Sequence, residues 1–338
     1  MSVVVIAEAG VNHNGSLETA KKLVDVAVEA GVDYVKFQTF KATQMTSAAA
    51  EKAAYQLENT GTGGSQLDML RHLELNEAAH QELIRYCKQQ GINFLSTAFD
   101  TESMDLLFKL GIQLAKIPSG EITNLPYLRR MASLFSKFIV STGMADIADI
   151  KTALDTLHQY GVLNEQIVVL HCNTEYPTPM EDVNLKAMLH IQREFGVNVG
   201  YSDHTLGIEV PIAAVALGAA VIEKHFTLDR NMEGPDHKAS LEPAELKAMV
   251  SAIRNIEKAI SGDGIKKTSP SEQKNKAIAR KSIHISRDIK AGDFITEQDL
   301  IALRPGTGIS PVEWDQVIGK QALVNLSKGH LLRWTDLK

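Results

Sequence analysis

The chain has 338 residues, with 35 Lys and Arg against 41 Asp and Glu and a formal net charge of −6. At this length folding buries most of the apolar surface without help from disulfides or a structural metal, and 44% hydrophobic with 22% charged residues excludes a disordered or low-complexity chain. The acidic balance argues against a nucleic-acid partner, and two cysteines, Cys87 and Cys172, cannot build a disulfide framework and point to a reducing compartment.

The first residues, MSVVVIAEAG, carry no basic segment, and Glu8 interrupts a very short apolar run, so they do not read as a signal peptide. From there short β-branched runs alternate with helical patterns. The runs are 3–10, 32–39, 92–99, 112–119, 138–143, 167–173, 197–204 and 220–227. Between the first two, Leu17, Ala20, Leu23, Val24 and Ala27 recur at helical spacing. Gly31, Gly91, Gly111, Gly161 and Gly196 each fall just past a helical pattern and before a strand, where a left-handed residue ends a helix. Strand–helix alternation means a parallel sheet, and eight such units predict a closed (β/α)8 TIM barrel over residues 1–260.

One connection is too long for a simple loop. Residues 40–68 follow the second strand on the face where barrel enzymes keep their active sites. Tyr55, Gln56 and Asn59 give this excursion polar and aromatic handles for covering a substrate. The longest apolar stretch, 210–222, falls short of the ~20 residues that span a bilayer, so no membrane partner and a cytoplasmic location are expected. After residue 260 the alternation stops. Residues 261–280 read as a Gly/Ser/Lys-rich linker, and 281–338 as a small β-rich module with turn signals at KAGD, RPGTG and SKGH.

Residues at the C-terminal ends of barrel strands converge on one site. Here all eight ends are polar or ionisable, which a barrel without a site does not need. Lys36 and Lys116, with Thr97, Ser119, Ser141 and Ser202, suit one small, highly charged anion, since lysines supply point charge and hydroxyls supply donors to its oxygens. The plainer alternative is a structural network in which the lysines pair with Glu8 or Glu121. His204 and His225 end neighbouring strands and could share one ion, with Glu8, Asp236 or the substrate completing its shell. Such a mixed N and O set favours Mn²⁺, Fe²⁺, Co²⁺ or Zn²⁺. Glu8, Glu121 and Asp236 are the candidate proton-transfer groups. His171 and Cys172 read as structural, and His13 stands evenly between site and loop.

The motifs IAEAGVNHNG, VKFQTF, FLSTAFD, KIPSGEITNLPYL, VSTGM, LHCNTEYPTPMEDVNL, GYSDHTLG, IEKHFTLD, GPDHKASLEP and RPGTGISP run in order along essentially the whole chain. Together they closely resemble the bacterial sialic acid synthase family. The resemblance implies a TIM barrel followed by an antifreeze-like (SAF) domain, here 281–338, swapped over the partner's barrel in a homodimer. It implies a transferase that condenses phosphoenolpyruvate (PEP) with a 2-acetamido-mannose-type sugar, using a divalent metal, commonly Mn²⁺ with Mg²⁺ or Co²⁺ as alternatives. By the same resemblance, PEP would be held by Lys36, Thr97, Lys116, Ser119, Ser141 and Ser202, and the metal by His204 and His225. Glu8, Glu121 and Asp236 would flank the sugar and the attacking water. Asn173 and Tyr176 would line the sugar pocket and Arg304 would reach it from the other subunit; Tyr55, Gln56 and Asn59 are added to the sugar contacts from the reading of the excursion alone. TNLPYL and GYSDHTLGIEVPIAAVALGA lie closer to the legionaminate-forming branch, which implies 2,4-diacetamido-2,4,6-trideoxymannose as the sugar; N-acetylmannosamine is the alternative. Remoter readings are a metal-dependent barrel aldolase or isomerase using a Schiff-base lysine, and a carbohydrate-binding protein.

Overall fold

Eight parallel strands close into a barrel in chain order: β1 (Val4–Gly10), β2 (Tyr34–Thr39), β3 (Asn93–Ala98), β4 (Leu114–Ile117), β5 (Lys137–Ser141), β6 (Ile167–Cys172), β7 (Asn198–Asp203) and β8 (Val221–His225), with β8 pairing back onto β1. This computed structural model describes residues 2–47, 50–52, 54–60 and 65–338, with the backbone alone at 54, 55 and 58. Each β-branched run of the sequence contains or overlaps one strand, trimmed by a residue or two where the chain turns into its loop.

The first helix, Leu17–Ala30, shows why the local sequence folds this way. Ser16 accepts from the Thr19 N–H and starts the helix; Gly31, at φ 77°, ends it. Ala20, Leu23, Val24 and Ala27 form its buried stripe against the barrel. Inside the barrel a separate layer of Ile6, Leu95, Ile139, Leu170 and Val221 plugs the end away from the polar strand termini. That plug leaves one open mouth.

Gly200, in the middle of β7, is required by a close approach. A Cβ placed there would lie 2.2 Å from the Val221 carbonyl oxygen and 2.7 Å from Leu170 Cδ2. Gly200→Ala is therefore expected to force β7 and β8 apart and to cost about 1–3 kcal/mol of stability, measured as a lower denaturation midpoint. An unchanged midpoint would show that the strands yield freely.

The excursion after β2 is partly helical, with Ala42–Met45, Ala54–Thr60 and Gln66–Leu73 before the helix Glu77–Gln90 that leads into β3. Phe40, Ala42, Leu70 and Leu73 pack with Val11 in a small apolar cluster of their own. The excursion is therefore anchored to the barrel mouth. Among the described residues no helix is long and apolar enough to cross a membrane.

The chain divides into two units, Met1–Ser261 and Gly262–Lys338. In the second, β9 (Ser282–Ile285) and β10 (Leu300–Leu303) pair antiparallel, and Ile283, Ile285, Ile295, Val317, Leu326 and Leu332 form its core. The stretch read as a linker contains a helix, Pro270–Ala279, capped by Ser269 and Glu272. None of its residues is buried, so it leaves no apolar periodicity to read in the sequence.

Candidate active site

The mouth of the barrel holds a cavity of about 190 Å³, smaller than most ligand pockets and suited to a compact anion. Lys36 from β2 and Lys116 from β4 project into it and are almost fully buried. Lys36 Nζ lies 2.6 Å from Glu8 Oε2, donates to Thr97 Oγ1 at 3.1 Å, and stands 3.5 Å from Glu223 Oε2. Lys116 Nζ donates to Ser141 Oγ at 2.8 Å and stands 3.5 Å from Glu223 Oε1. Ser202 donates to Glu223 Oε1 at 3.0 Å, and Ser119 Oγ, 3.3 Å from Cys172 Sγ, accepts the Gly143 N–H. All six residues expected to bind the anion line this one cavity.

Two carboxylates neutralise the two ammonium groups. Burial pushes Glu8 up to about 7 against the pull of Lys36, with the Glu223 charge adding to the rise. Burial also disfavours the Glu223 carboxylate, but Lys116 and Lys36 flank it and hold it down at about 2. Burial lowers Lys116, with Glu223 opposing the fall; at Lys36 burial is outweighed by Glu223 and Glu8, and its value rises. The expected structural pairing of lysine with Glu8 is thus present, and it occurs inside the cavity. Glu223 and Gln38, which donates to Glu8 Oε1 at 3.2 Å, belong to the site as well. The signal for Glu223 is its spacing: two residues before His225, it shares that residue's face of the strand.

The histidines sit on the adjacent wall. His204 and His225 ring centroids are 5.5 Å apart, and Tyr176 stacks on His204 at 4.0 Å. His204 Nδ1 donates to the Asn173 carbonyl at 2.5 Å, which leaves Nε2 as the free donor atom, the arrangement typical of a metal-binding histidine. His225 Nδ1 has no hydrogen-bond partner and lies 3.9 Å from Asp236 Oδ2. Burial holds His204 down at about 4 and His225 well below its ordinary range, so both imidazoles are neutral and their lone pairs are available. Among the described residues no group of three or more His, Cys, Asp or Glu is assembled to hold an ion. Neither Glu8 nor Asp236 completes a three-ligand set. Two neutral imidazoles facing a polar cavity fit a divalent ion whose remaining ligands are water and substrate, as in an open catalytic site.

The other expected residues are less uniform. Burial pushes the Asp236 carboxyl up to about 6, beside His225. Glu121 follows Ser119 in a short 3-10 turn and accepts from Asn124 Nδ2 at 2.6 Å; it does not line the cavity. Asn173 acts on His204 through its carbonyl, while its side chain accepts the Glu175 N–H. Asn59 donates to the Pro235 carbonyl at 2.7 Å, and Gln56 accepts from Gln66, so both face the excursion and its neighbour loop. The side chain of Tyr55 lies outside the described residues. Arg304 belongs to the second unit, where its Nε donates to the Ala279 carbonyl at 3.0 Å. His13 falls on the loop side: its Nδ1 accepts the Gly15 N–H and its ring packs near Phe37, outside the cavity. Cys172 is buried at the end of β6 and also forms part of the cavity wall.

Comparison with known proteins gives the chain's family. The NeuB family matches residues 23–266, and the SAF domain matches 280–338. The chain belongs to the NeuB family. It is 55% identical to the N,N'-diacetyllegionaminic acid synthase of Campylobacter jejuni, over 97% of this chain and 98% of that one. It is 48% identical to the enzyme of the same name from Legionella pneumophila, over 100% of this chain and 95% of that one. Among solved structures, the N-acetylneuraminic acid (sialic acid) synthetase of Leptospira borgpetersenii, in complex with citrate, superposes with a TM-score of 0.71 at 31% identity, covering 81% of this chain and 90% of that one. The NeuB match spans most of the barrel and ends at the start of the linker stretch.

Proposed function

We propose that this NeuB-family chain condenses PEP with 2,4-diacetamido-2,4,6-trideoxymannose and water to give N,N'-diacetyllegionaminate and phosphate. The observation that carries the reaction is the buried cradle of Lys36 and Lys116, each already matched by a carboxylate and surrounded by hydroxyls. The sugar rests on the near-full-length identity to two enzymes named for that product. Phe99, Pro118 and Met144 add apolar surface to a polar cavity, which suits a substrate bearing methyl groups.

In this reading Lys36 and Lys116 fix the phosphate and carboxylate of PEP, and Thr97, Ser119, Ser141 and Ser202 donate to its oxygens. Fixing that geometry is a large share of the catalysis. His204 and His225 would hold a divalent metal, Mn²⁺ foremost with Mg²⁺ or Co²⁺ as alternatives, which supplies Lewis-acid polarisation of the sugar's aldehyde oxygen. The enol carbon of PEP bonds to the aldehyde carbon, whose oxygen takes up a proton, and positive charge develops at C2 of PEP. Water adds to C2 and gives a proton to Glu8, which lines the cavity; Glu121 lies outside it, held by Asn124. Phosphate leaves with cleavage of its C–O bond, and the keto acid closes to a ring. Asp236 and Tyr176 flank the sugar beside the histidines. We also propose that the enzyme works in the cytoplasm as a homodimer, with Arg304 of one copy's SAF domain serving the other copy's barrel.

Phosphate release from PEP, measured with a panel of 2-acetamido sugars and with or without Mn²⁺, tests the reaction. The diacetamido sugar is expected to exceed N-acetylmannosamine in kcat/KM by about 10²-fold, the usual limit when an apolar pocket rejects an added hydroxyl. Comparable values, or a preference for N-acetylmannosamine, would assign the chain to N-acetylneuraminate synthesis. Phosphate release with no sugar of the panel, together with borohydride trapping of substrate on Lys36 or Lys116, would favour a Schiff-base enzyme.

A further inference from the structure

A second pair of charges lies directly behind the histidines. Asp203 and Lys224 are both fully buried and stand opposite each other in the β7–β8 register. Their contact, Nζ to Oδ2, is 2.5 Å. Lys224 also donates to the Thr205 carbonyl, and Asp203 Oδ1 accepts the Thr205 N–H at 3.1 Å and its hydroxyl at 2.9 Å. Side chains alternate along a strand. Ser202, His204, Glu223 and His225 face the cavity, whereas Asp203 and Lys224 do not line it. Each member of the pair therefore immediately precedes one of the two histidines.

Stability does not explain this pair well. A fully buried ion pair is commonly no more stabilising than apolar residues of the same volume, because both charges must leave water. Geometry explains it better. β7 ends at Asp203, so His204 is the first residue beyond the ladder and lacks the strand pairing that fixes His225. The contacts of Asp203 and Lys224 with Thr205 take hold of the backbone just after His204 and tie it to β8. From the other side, the Asn173 carbonyl holds the His204 ring itself.

We propose that the Asp203–Lys224 pair is a positioning device that sets the spacing at which His204 and His225 share one metal ion. This rests on the metal reading given above. The pair touches neither the ion nor the substrates; it acts through the peptides that carry the two imidazoles.

The test is Mn²⁺ titration into metal-free protein, followed by electron paramagnetic resonance of the free ion, with PEP affinity and thermal midpoint measured on the same samples. Asp203→Leu/Lys224→Met replaces the pair with apolar side chains. It is expected to bind Mn²⁺ about 10–100-fold more weakly, as loss of outer-sphere support does elsewhere, while binding PEP as wild type does. Asp203→Asn, which keeps the shape, is the second variant and should show a smaller loss in the same direction. Arg254→Met breaks the Asp33 ion pair near the start of β2; it should lower the thermal midpoint and leave Mn²⁺ affinity unchanged. Wild-type Mn²⁺ affinity in either Asp203 variant, with PEP affinity intact, would overturn the positioning role. If wild type and His225→Ala bind Mn²⁺ alike, the metal reading itself fails and this proposal with it.

Discussion

Chelation of a divalent metal held, as proposed, by His204 and His225 is expected to lower turnover by at least about 10³-fold, the rate equivalent of several kcal/mol of lost charge stabilisation. The loss should be reversible. Only two imidazoles are in place and no third protein ligand joins them among the described residues, so the rest of the shell is exchangeable. Re-addition of Mn²⁺ after chelation should then restore phosphate release. His225→Ala should mimic chelation while PEP still binds, because the anion cradle of Lys36, Lys116 and their hydroxyls is built from other side chains. Full turnover of the chelated protein would remove His204 and His225 from the chemistry.

The cradle has a further electrostatic consequence. Lys36, Lys116, Glu8 and Glu223 form two positive and two nearly matching negative groups, all buried. Burying lysines without such partners would cost several kcal/mol each. An arriving phosphate must therefore compete with Glu8 and Glu223 for the ammonium groups. Glu8, whose value burial raises to about 7, is the more basic of the two carboxylates and the one suited to take up the proton of the attacking water. Glu223, flanked by both lysines, keeps its charge and holds them in place.

Much of this was legible in the sequence, and the limits have a common cause. The strand runs, their order and the polar residues at their ends follow from local patterns, so the barrel and Lys36, Thr97, Lys116, Ser141, Ser202, His204 and His225 could be read directly. Roles that depend on register between strands could not. Lys224 meets Asp203 only because β7 and β8 pair with those residues opposite, and Glu223 reaches two lysines that come from β2 and β4. Asn173 is legible as a polar residue, yet its main contact with the site is its backbone carbonyl, which any residue carries. Glu121 sits one residue past the cavity in a turn whose rotation the text does not encode. The helix Pro270–Ala279 leaves no buried stripe, so composition outweighed its capping box.

Mixed dimers of two inactive variants are expected to regain activity if Arg304 serves the opposite barrel. Lys116→Ala removes an ammonium from the anion cradle and should abolish turnover in its own barrel. Arg304→Ala removes a planar, permanently charged donor from the SAF domain, suited to an amide carbonyl or carboxylate on the sugar. In a heterodimer of the two, one barrel keeps Lys116 and receives an intact Arg304 from its partner, while the other barrel has neither. Random pairing makes half the dimers mixed, with one working site of two, so co-expression should recover about a quarter of wild-type activity. An arginine that serves its own barrel gives a different result, since each subunit then carries one fatal change and no pairing repairs it. Co-expressed heterodimers as inactive as either parent would therefore exclude a shared site, and recovery near a quarter would make the dimer part of the catalyst.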